Sequence, residues 1–384
     1  MQKKTIKRLV LAILIITFLF LLINNLSVID EDSREFRAHV LEVDERDVRG
    51  VGISRTGVQR VRVEIKEGKF SGEKVNAANN LSGNLGWDYR FEIGDEILVA
   101  ISETEDGEIA SALALDIYRQ GWLLVLLGVF ITLLLLYAGY IGLKALFSFI
   151  ASIILIWQVL IPGLLNGLNP LLFTAFILAI LSALILFSIA GFTKKGLSAF
   201  FGTTCSLFIT IGLTMFFGSM LALDGMSSPY VGELMAGGYM HLNVRDIFFA
   251  AVVIGSSGAA MDIAMDMATT IKELKARRPD IDMKGLTKSG FNVGSDVIGT
   301  MTTTLLLAYS GGYLTLMMAF MTRTTTYRRI FNLRIIVSEI LRILVGSIGI
   351  VLVAPITTIF AAWLFTVEID FNGIKRKFFK NKNH

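Results

Sequence analysis

The sequence predicts a mainly α-helical integral membrane protein of about eight transmembrane helices, with a small β-rich extracytoplasmic domain between the first and the second. Three observations carry that expectation. Of the 384 residues, 54% are hydrophobic and only 18% charged, against about 45–50% and roughly 25% in soluble domains. The apolar residues gather into uninterrupted runs, with a mean hydropathy of +0.65, instead of following the period of a helix or strand that buries one face. Residues 30–118 alone interrupt this pattern, with dense charge and strict alternation.

The first run, about Leu9–Ile23, follows Lys3, Lys4, Lys7 and Arg8. Asn24-Asn25-Leu26-Ser27-Val28 offers no small-residue cleavage site, so residues 1–29 read as an uncleaved anchor that leaves the N-terminus in the cytoplasm. In the next segment Arg60-Val61-Arg62-Val63-Glu64-Ile65-Lys66 alternates as a half-buried strand does. Turns at Glu67-Gly68-Lys69 and Gly94-Asp95 separate short strands, the pattern of a small barrel or sandwich lying outside the membrane.

Residues 119–366 hold seven further runs, near Gly121–Tyr137, Leu143–Leu160, Leu171–Ile189, Leu197–Leu221, Ile247–Met267, Val297–Phe320 and Ile336–Leu364. Each covers the hydrocarbon thickness, which needs about 20 helical residues. Lys194, Lys195, the loop from Lys272 to Lys288 and the basic tail, residues 367–384, then fall on the cytoplasmic side. Arg323, Arg328, Arg329 and Arg334 fall outside, against the rule. Turning the seventh run back at Ser310-Gly311-Gly312 moves them inside but sends the tail out, so the eight-span count is retained.

The candidate functional residues are the polar ones inside these runs. Asp262 and Asp266 stand one turn apart on one helical face. Intramembrane carboxylates are costly and mark ion or proton sites; the competing account is a structural pair bonded to Ser256, Ser257, Thr269 or Thr270. Asp296 opens the next run, either as an N-cap or as a third site group sharing a face with Thr300, with Thr303 a turn further. Glu339 and Arg342, at i and i+3, are placed to form an ion pair near the outer surface. Gly255-Ser256-Ser257-Gly258 reads either as a loosened stretch exposing backbone carbonyls or, preferred, as a close-packing motif.

Other chemistry finds no support. Cys205 is the single cysteine, and His39, His241 and His384 show no metal-ligand spacing. No Gly-rich run precedes Lys-Ser or Lys-Thr at phosphate-loop spacing, and no basic stripe on a soluble unit points to nucleic acid.

Gly142-Leu143-Lys144-Ala145-Leu146, Pro162-Gly163-Leu164-Leu165, Asn166-Gly167-Leu168-Asn169-Pro170, Gly258 to Asp266, Gly290 to Leu305, Ser338 to Arg342 and Gly346-Ser347-Ile348-Gly349 together resemble the YibE/F-like family of bacterial multi-spanning membrane proteins. The resemblance implies a bacterial cell membrane location and no soluble cofactor, places Asp262 and Asp296 in the family's most distinctive motifs, and leaves activity open.

Two functions compete. The first is a transporter or permease binding a proton or cation at Asp262, Asp266 and Asp296, with Thr300 and Thr303 along the route. The second is a non-transporting assembly protein acting through residues 30–118. An intramembrane hydrolase is the weakest alternative, because Asp262 and Asp266 share one helix and an aspartyl dyad needs facing acids; no enzyme activity is expected. The expected partners are the lipid bilayer, an unidentified small solute or ion, and a second copy or a paired membrane protein.

Overall fold

The computed structural model describes residues 35–322 and 326–367. The anchor expected at 1–29, Arg323 and the tail beyond residue 367 lie outside the described residues. The chain divides into two compact units, the first ending at Gly142 and the second starting at Leu143.

The first unit holds five strands: β1 (Glu35–Val51), β2 (Ser54–Ile65), β3 (Lys74–Ser82), β4 (Glu96–Glu103) and β5 (Ile109–Ile117). They close into a barrel in the order β1-β2-β3-β5-β4, antiparallel except where β3 meets β5. This five-stranded Greek-key topology is that of an OB-type barrel, which decides between the two β architectures left open by the sequence. The alternation in β2 is realised as expected: Val61, Val63 and Ile65 point into the core with Phe36, Val40, Ile97 and Val99. Arg60 and Arg62 point outward to Asp47 and Glu42 on β1. Two buried amides tie the β3–β4 connection down, Asn79 donating to Tyr89 O (2.7 Å) beside the bonds of Gln59. Gln59 donates through Nε2 to Phe91 O (2.9 Å), while its Oε1 accepts from Phe91 N (3.0 Å) and from Asn79 Nδ2 (2.9 Å). The unit closes with α1 (Gln120–Ala138), an almost wholly apolar helix.

The second unit is helical: α2 (Tyr140–Leu165, entered from the first unit), α3 (Pro170–Ala190), α4 (Lys194–Met220), α5 (Val231–Ala236), α6 (Val244–Arg277), α7 (Met283–Gly312), α8 (Leu314–Met321), α9 (Tyr327–Ile330) and α10 (Arg334–Thr366). Among the described residues, and counting α1, six helices are long and apolar enough to cross a membrane, or seven if the bent pair α7–α8 counts as one span. Side-chain caps fix several starts: Asn169 accepts from Leu172 N (3.1 Å) ahead of Pro170, and Thr193 accepts from Gly196 N (3.2 Å).

Three boundaries differ from the sequence reading. The run expected over Ile247–Met267 continues as helix to Arg277, taking in Lys272 and Lys275 of the expected loop. The second run continues past Leu160 to Leu165, through a π-turn at Ile156–Leu160 placed just ahead of Pro162, whose missing N–H interrupts the regular ladder. The seventh run is not a straight helix over Val297–Phe320. It starts at Met283, breaks after Ser310-Gly311-Gly312 and bends by 69° into α8.

Helix α10 packs along α4, α6 and α7, and small residues set how closely. A Cβ on Gly202 would lie 1.9 Å from Thr357 Oγ1 and 2.9 Å from its Cα; one on Gly349 would lie 2.4 Å from Thr210 Oγ1. Ser206 donates to Gly349 O across the same seam (2.7 Å). Against α7, Gly290 meets Ile271 and Thr358, and Gly294 meets Met267 and Ala354. These contacts set α7 antiparallel to both α6 and α10, which therefore run parallel to each other. One end of the bundle gathers Lys194, which donates to Val367 O (2.7 Å), with Lys195 near Lys272 and Glu273. At the opposite end Arg334 bonds Asp224 at 2.5 Å, and Ser227 bonds Ser338 at 2.8 Å.

Gly202→Val forces backbone against backbone, at a cost of about 1–3 kcal/mol; a thermal midpoint in detergent several degrees below wild type is expected. Gln59→Leu strands three polar groups, each costing about 1–3 kcal/mol. Faster hydrogen exchange at the Phe91 amide, with the helical unit unchanged, is the expected signature.

Candidate functional site

Helix α6 starts at the Asn243 cap, whose Oδ1 accepts from Asp246 N (3.1 Å). It is the most enclosed of the long apolar helices. Along its middle, Ala251, Gly255, Gly258, Asp262 and Asp266 are exposed, and their spacing of three or four places them on one face. No large apolar side chain stands among them. By contrast, α3 exposes Leu172 and Phe176, and α4 exposes Phe201, Phe208 and Phe216.

Asp262 and Asp266 are thus neighbours, as expected, on the open face of an otherwise buried helix. Three of the four hydroxyls proposed to satisfy them are engaged elsewhere. Ser256 donates to Val253 O (3.1 Å), Ser257 to Ile254 O (2.7 Å) and Thr269 to Met265 O (2.6 Å). A hydroxyl has one proton to give, so the structural pair bonded to Ser256, Ser257 or Thr269 is not formed.

Asp296 is not a helix cap. The cap of α7 is Asp282, which accepts from Gly285 N (2.9 Å), and Asp296 lies more than three turns inside. Contacts of α7 with α6 pair Gly290 with Ile271, Gly294 with Met267 and Tyr309 with Gly255. In that register Asp266 stands near the height of Asp296, and Asp262 near Thr300. Their faces diverge, however. The packed side of α7 carries Gly290, Gly294 and Leu305, whereas Asp296, Thr300 and Thr303 are exposed on its far side. Thr300 and Thr303 donate to Val297 O (3.0 Å) and Gly299 O (3.1 Å) of their own helix.

Glu339 and Arg342 form the expected pair, but inside the bundle. Arg342 Nη2 lies 3.7 Å from Glu339 Oε1, with side chains 18% and 12% exposed. The guanidinium sits 5.8 Å from the Phe248 ring centroid, and Tyr313 interacts through its hydroxyl with both charges. Three buried atoms here have no hydrogen-bond partner within the described residues: Glu339 Oε2, Arg342 Nε and Tyr309 Oη. Each such atom costs about 1–3 kcal/mol when left unmade. Sequence reasoning found the charged pair and missed its setting, because Tyr309 and Tyr313 reach it only through the fold. Their one local signal is their position around Gly311-Gly312. Among the described residues no group of three or more His, Cys, Asp or Glu is placed to hold a metal ion.

A β-barrel ahead of a group of long apolar helices, with carboxylates on the open face of the most enclosed one, defines a two-unit chain whose helical unit has the length and composition of membrane spans. The family model described as YibE/F-like protein matches residues 126–367, and the one described as YibE/F family N-terminal domain matches residues 37–116. The chain belongs to the YibE/F-like family. Comparison with curated proteins and with solved structures finds no match.

Removing one member of the buried pair leaves an uncompensated charge, which costs about 3–5 kcal/mol, whereas replacing both is far milder. Arg342→Met is therefore expected to lower the thermal midpoint in detergent more than Glu339→Leu combined with Arg342→Met.

Proposed function

We propose that this protein is a transporter or permease of the bacterial cell membrane that binds a proton or cation at the Asp262–Asp266 face of α6. The observation that carries this reading is the composition of that face, Ala251, Gly255, Gly258, Asp262 and Asp266, on a helix buried nearly everywhere else. A face meant for lipid is built from large apolar side chains, as on α3 and α4, and each carboxylate turned to lipid at mid-depth costs roughly 2.5–3.5 kcal/mol. A face of glycines and acids suits a water-lined path or a covering partner helix. Asp296, Thr300 and Thr303 form a comparable polar face on α7. A second copy or a paired membrane protein is the expected cover for one or both.

In this reading the chain crosses the bilayer eight times, with both termini cytoplasmic and residues 30–118 outside. Support comes from Lys194, Lys195 and Lys272 at one end of the bundle. At the other end Arg334, on the arginine-bearing connection that offends the charge rule, is paired with Asp224. We assign no enzymatic step and no cofactor. The second reading is an assembly protein that recruits partners through the barrel, favoured by Leu85, Trp87 and Tyr89 exposed on its β3–β4 connection.

Vesicles containing the full chain, loaded with a pH-sensitive dye or a sodium indicator and given an imposed gradient, test the first reading. Asp262→Asn is expected to lower flux at least tenfold while the yield of folded protein stays constant. Wild-type flux in that variant rejects the site.

A further inference from the structure

We propose that Glu339 is a proton-loading group in the outer half of the helical unit, held beside the fixed cation Arg342 and connected through Tyr309 to the Asp262 face. This rests on the transport reading above and names its coupling ion as a proton.

The pair is built unlike a purely structural one. Arginine–carboxylate pairs frequently close as a short two-bond fork; here, within one helix, the contact is 3.7 Å, with Arg342 Nε and Glu339 Oε2 left over. One is a donor only and the other an acceptor only, while Tyr309 Oη is both. A water accepting from Nε and donating to Oε2 satisfies the first two, the bonding pattern of buried waters in proteins. A metal cation is a poor match, because among the described residues no group of three or more His, Cys, Asp or Glu is placed to hold one.

The position supplies the route. Tyr309 Oη lies over Gly255, close enough that a Cβ there would be 2.2 Å away. Gly255 belongs to the exposed α6 face, and Asp262 is two turns further along it, about 10 Å at 1.5 Å per residue. The charged and titratable groups facing Glu339 are Arg342 on its own helix and Tyr309 and Tyr313 on α7 and at its break; α6 contributes the uncharged Phe248 ring. In the step, a hydronium ion gives its proton to Oε2 and departs as water, neutralising the carboxylate and freeing Arg342. The proton leaves through Tyr309 and water along the Gly255–Gly258 face to Asp262, restoring the pair.

Infrared difference spectroscopy of the full chain in phosphatidylethanolamine–phosphatidylglycerol vesicles, with pH steps in H2O and D2O, tests the proposal beside proton uptake into dye-loaded vesicles. A carboxylic C=O band that shifts in D2O, vanishes in Glu339→Gln and persists in Asp262→Asn is expected. Glu339→Gln should also cut uptake at least tenfold, and Tyr309→Phe should slow it several-fold with the band retained. A band absent from wild type, or unchanged in Glu339→Gln, overturns the proposal, as does wild-type uptake by Glu339→Gln. If Glu339→Gln does not fold, Glu339→Asp decides: a displaced band supports the assignment and an unmoved one overturns it. Wild-type uptake by Asp262→Asn while the Glu339 band still titrates defeats the acidic-face reading and leaves the proton site standing.

Discussion

Close approach of helix backbones along α10 is the constraint on which the helical unit depends. Gly202 against Thr357, Gly349 against Thr210, and Gly290 and Gly294 against Thr358 and Ala354 bring three helices to one axis. When helices are as apolar as their surroundings, burial supplies little preference for one partner, and van der Waals fit at small residues supplies most of it. The buried hydroxyls follow the same seam. Ser206 reaches across to Gly349 O, and Thr210 and Thr214 return to their own helix. No long polar side chain is needed to hold α4 and α10 together.

That economy makes the remaining polar groups conspicuous. Ser256, Ser257, Thr269, Thr300 and Thr303 are each bonded to a carbonyl of their own helix, so these five hydroxyls do not compensate Asp262, Asp266 or Asp296. The acids occupy open faces of α6 and α7, and the α7 face lies on the side turned from α6. A path running between the two aspartate faces within one chain is therefore a poorer description than two separate polar faces, one of which leads by way of Gly255 to the enclosed Glu339–Arg342 pair. The pair and the faces differ in kind. The faces carry carboxylates on a surface, whereas the pair keeps a donor, Arg342 Nε, and an acceptor, Glu339 Oε2, without partners among the described residues in the interior.

The barrel repeats the economy with different materials. Its interior is apolar apart from Gln59 and Asn79, which together anchor the connection carrying Leu85, Trp87 and Tyr89. Burying satisfied amides costs little, and the same amides make a loop without regular structure follow one course.

Local pattern alone was enough for much of this. Strand alternation at Arg60–Lys66 and apolar runs of spanning length depend on neighbours in the chain, so the β unit and the positions of most long helices were legible before any contact was known. The i, i+4 placement of Asp262 and Asp266 is likewise a property of one helix. Contacts between distant segments decided the rest. Whether strands close as barrel or sandwich depends on β3 meeting β5. That α7 begins at Met283 follows from Gly290 and Gly294 seating on α6 and α10, which rewards a helix where hydropathy is weak. Asp296 lost its capping role for the same reason. The setting of Glu339 was out of reach because Tyr309, Tyr313 and Phe248 are remote in sequence, and only packing supplies the burial that turns an ordinary i, i+3 pair into an unsatisfied interior one.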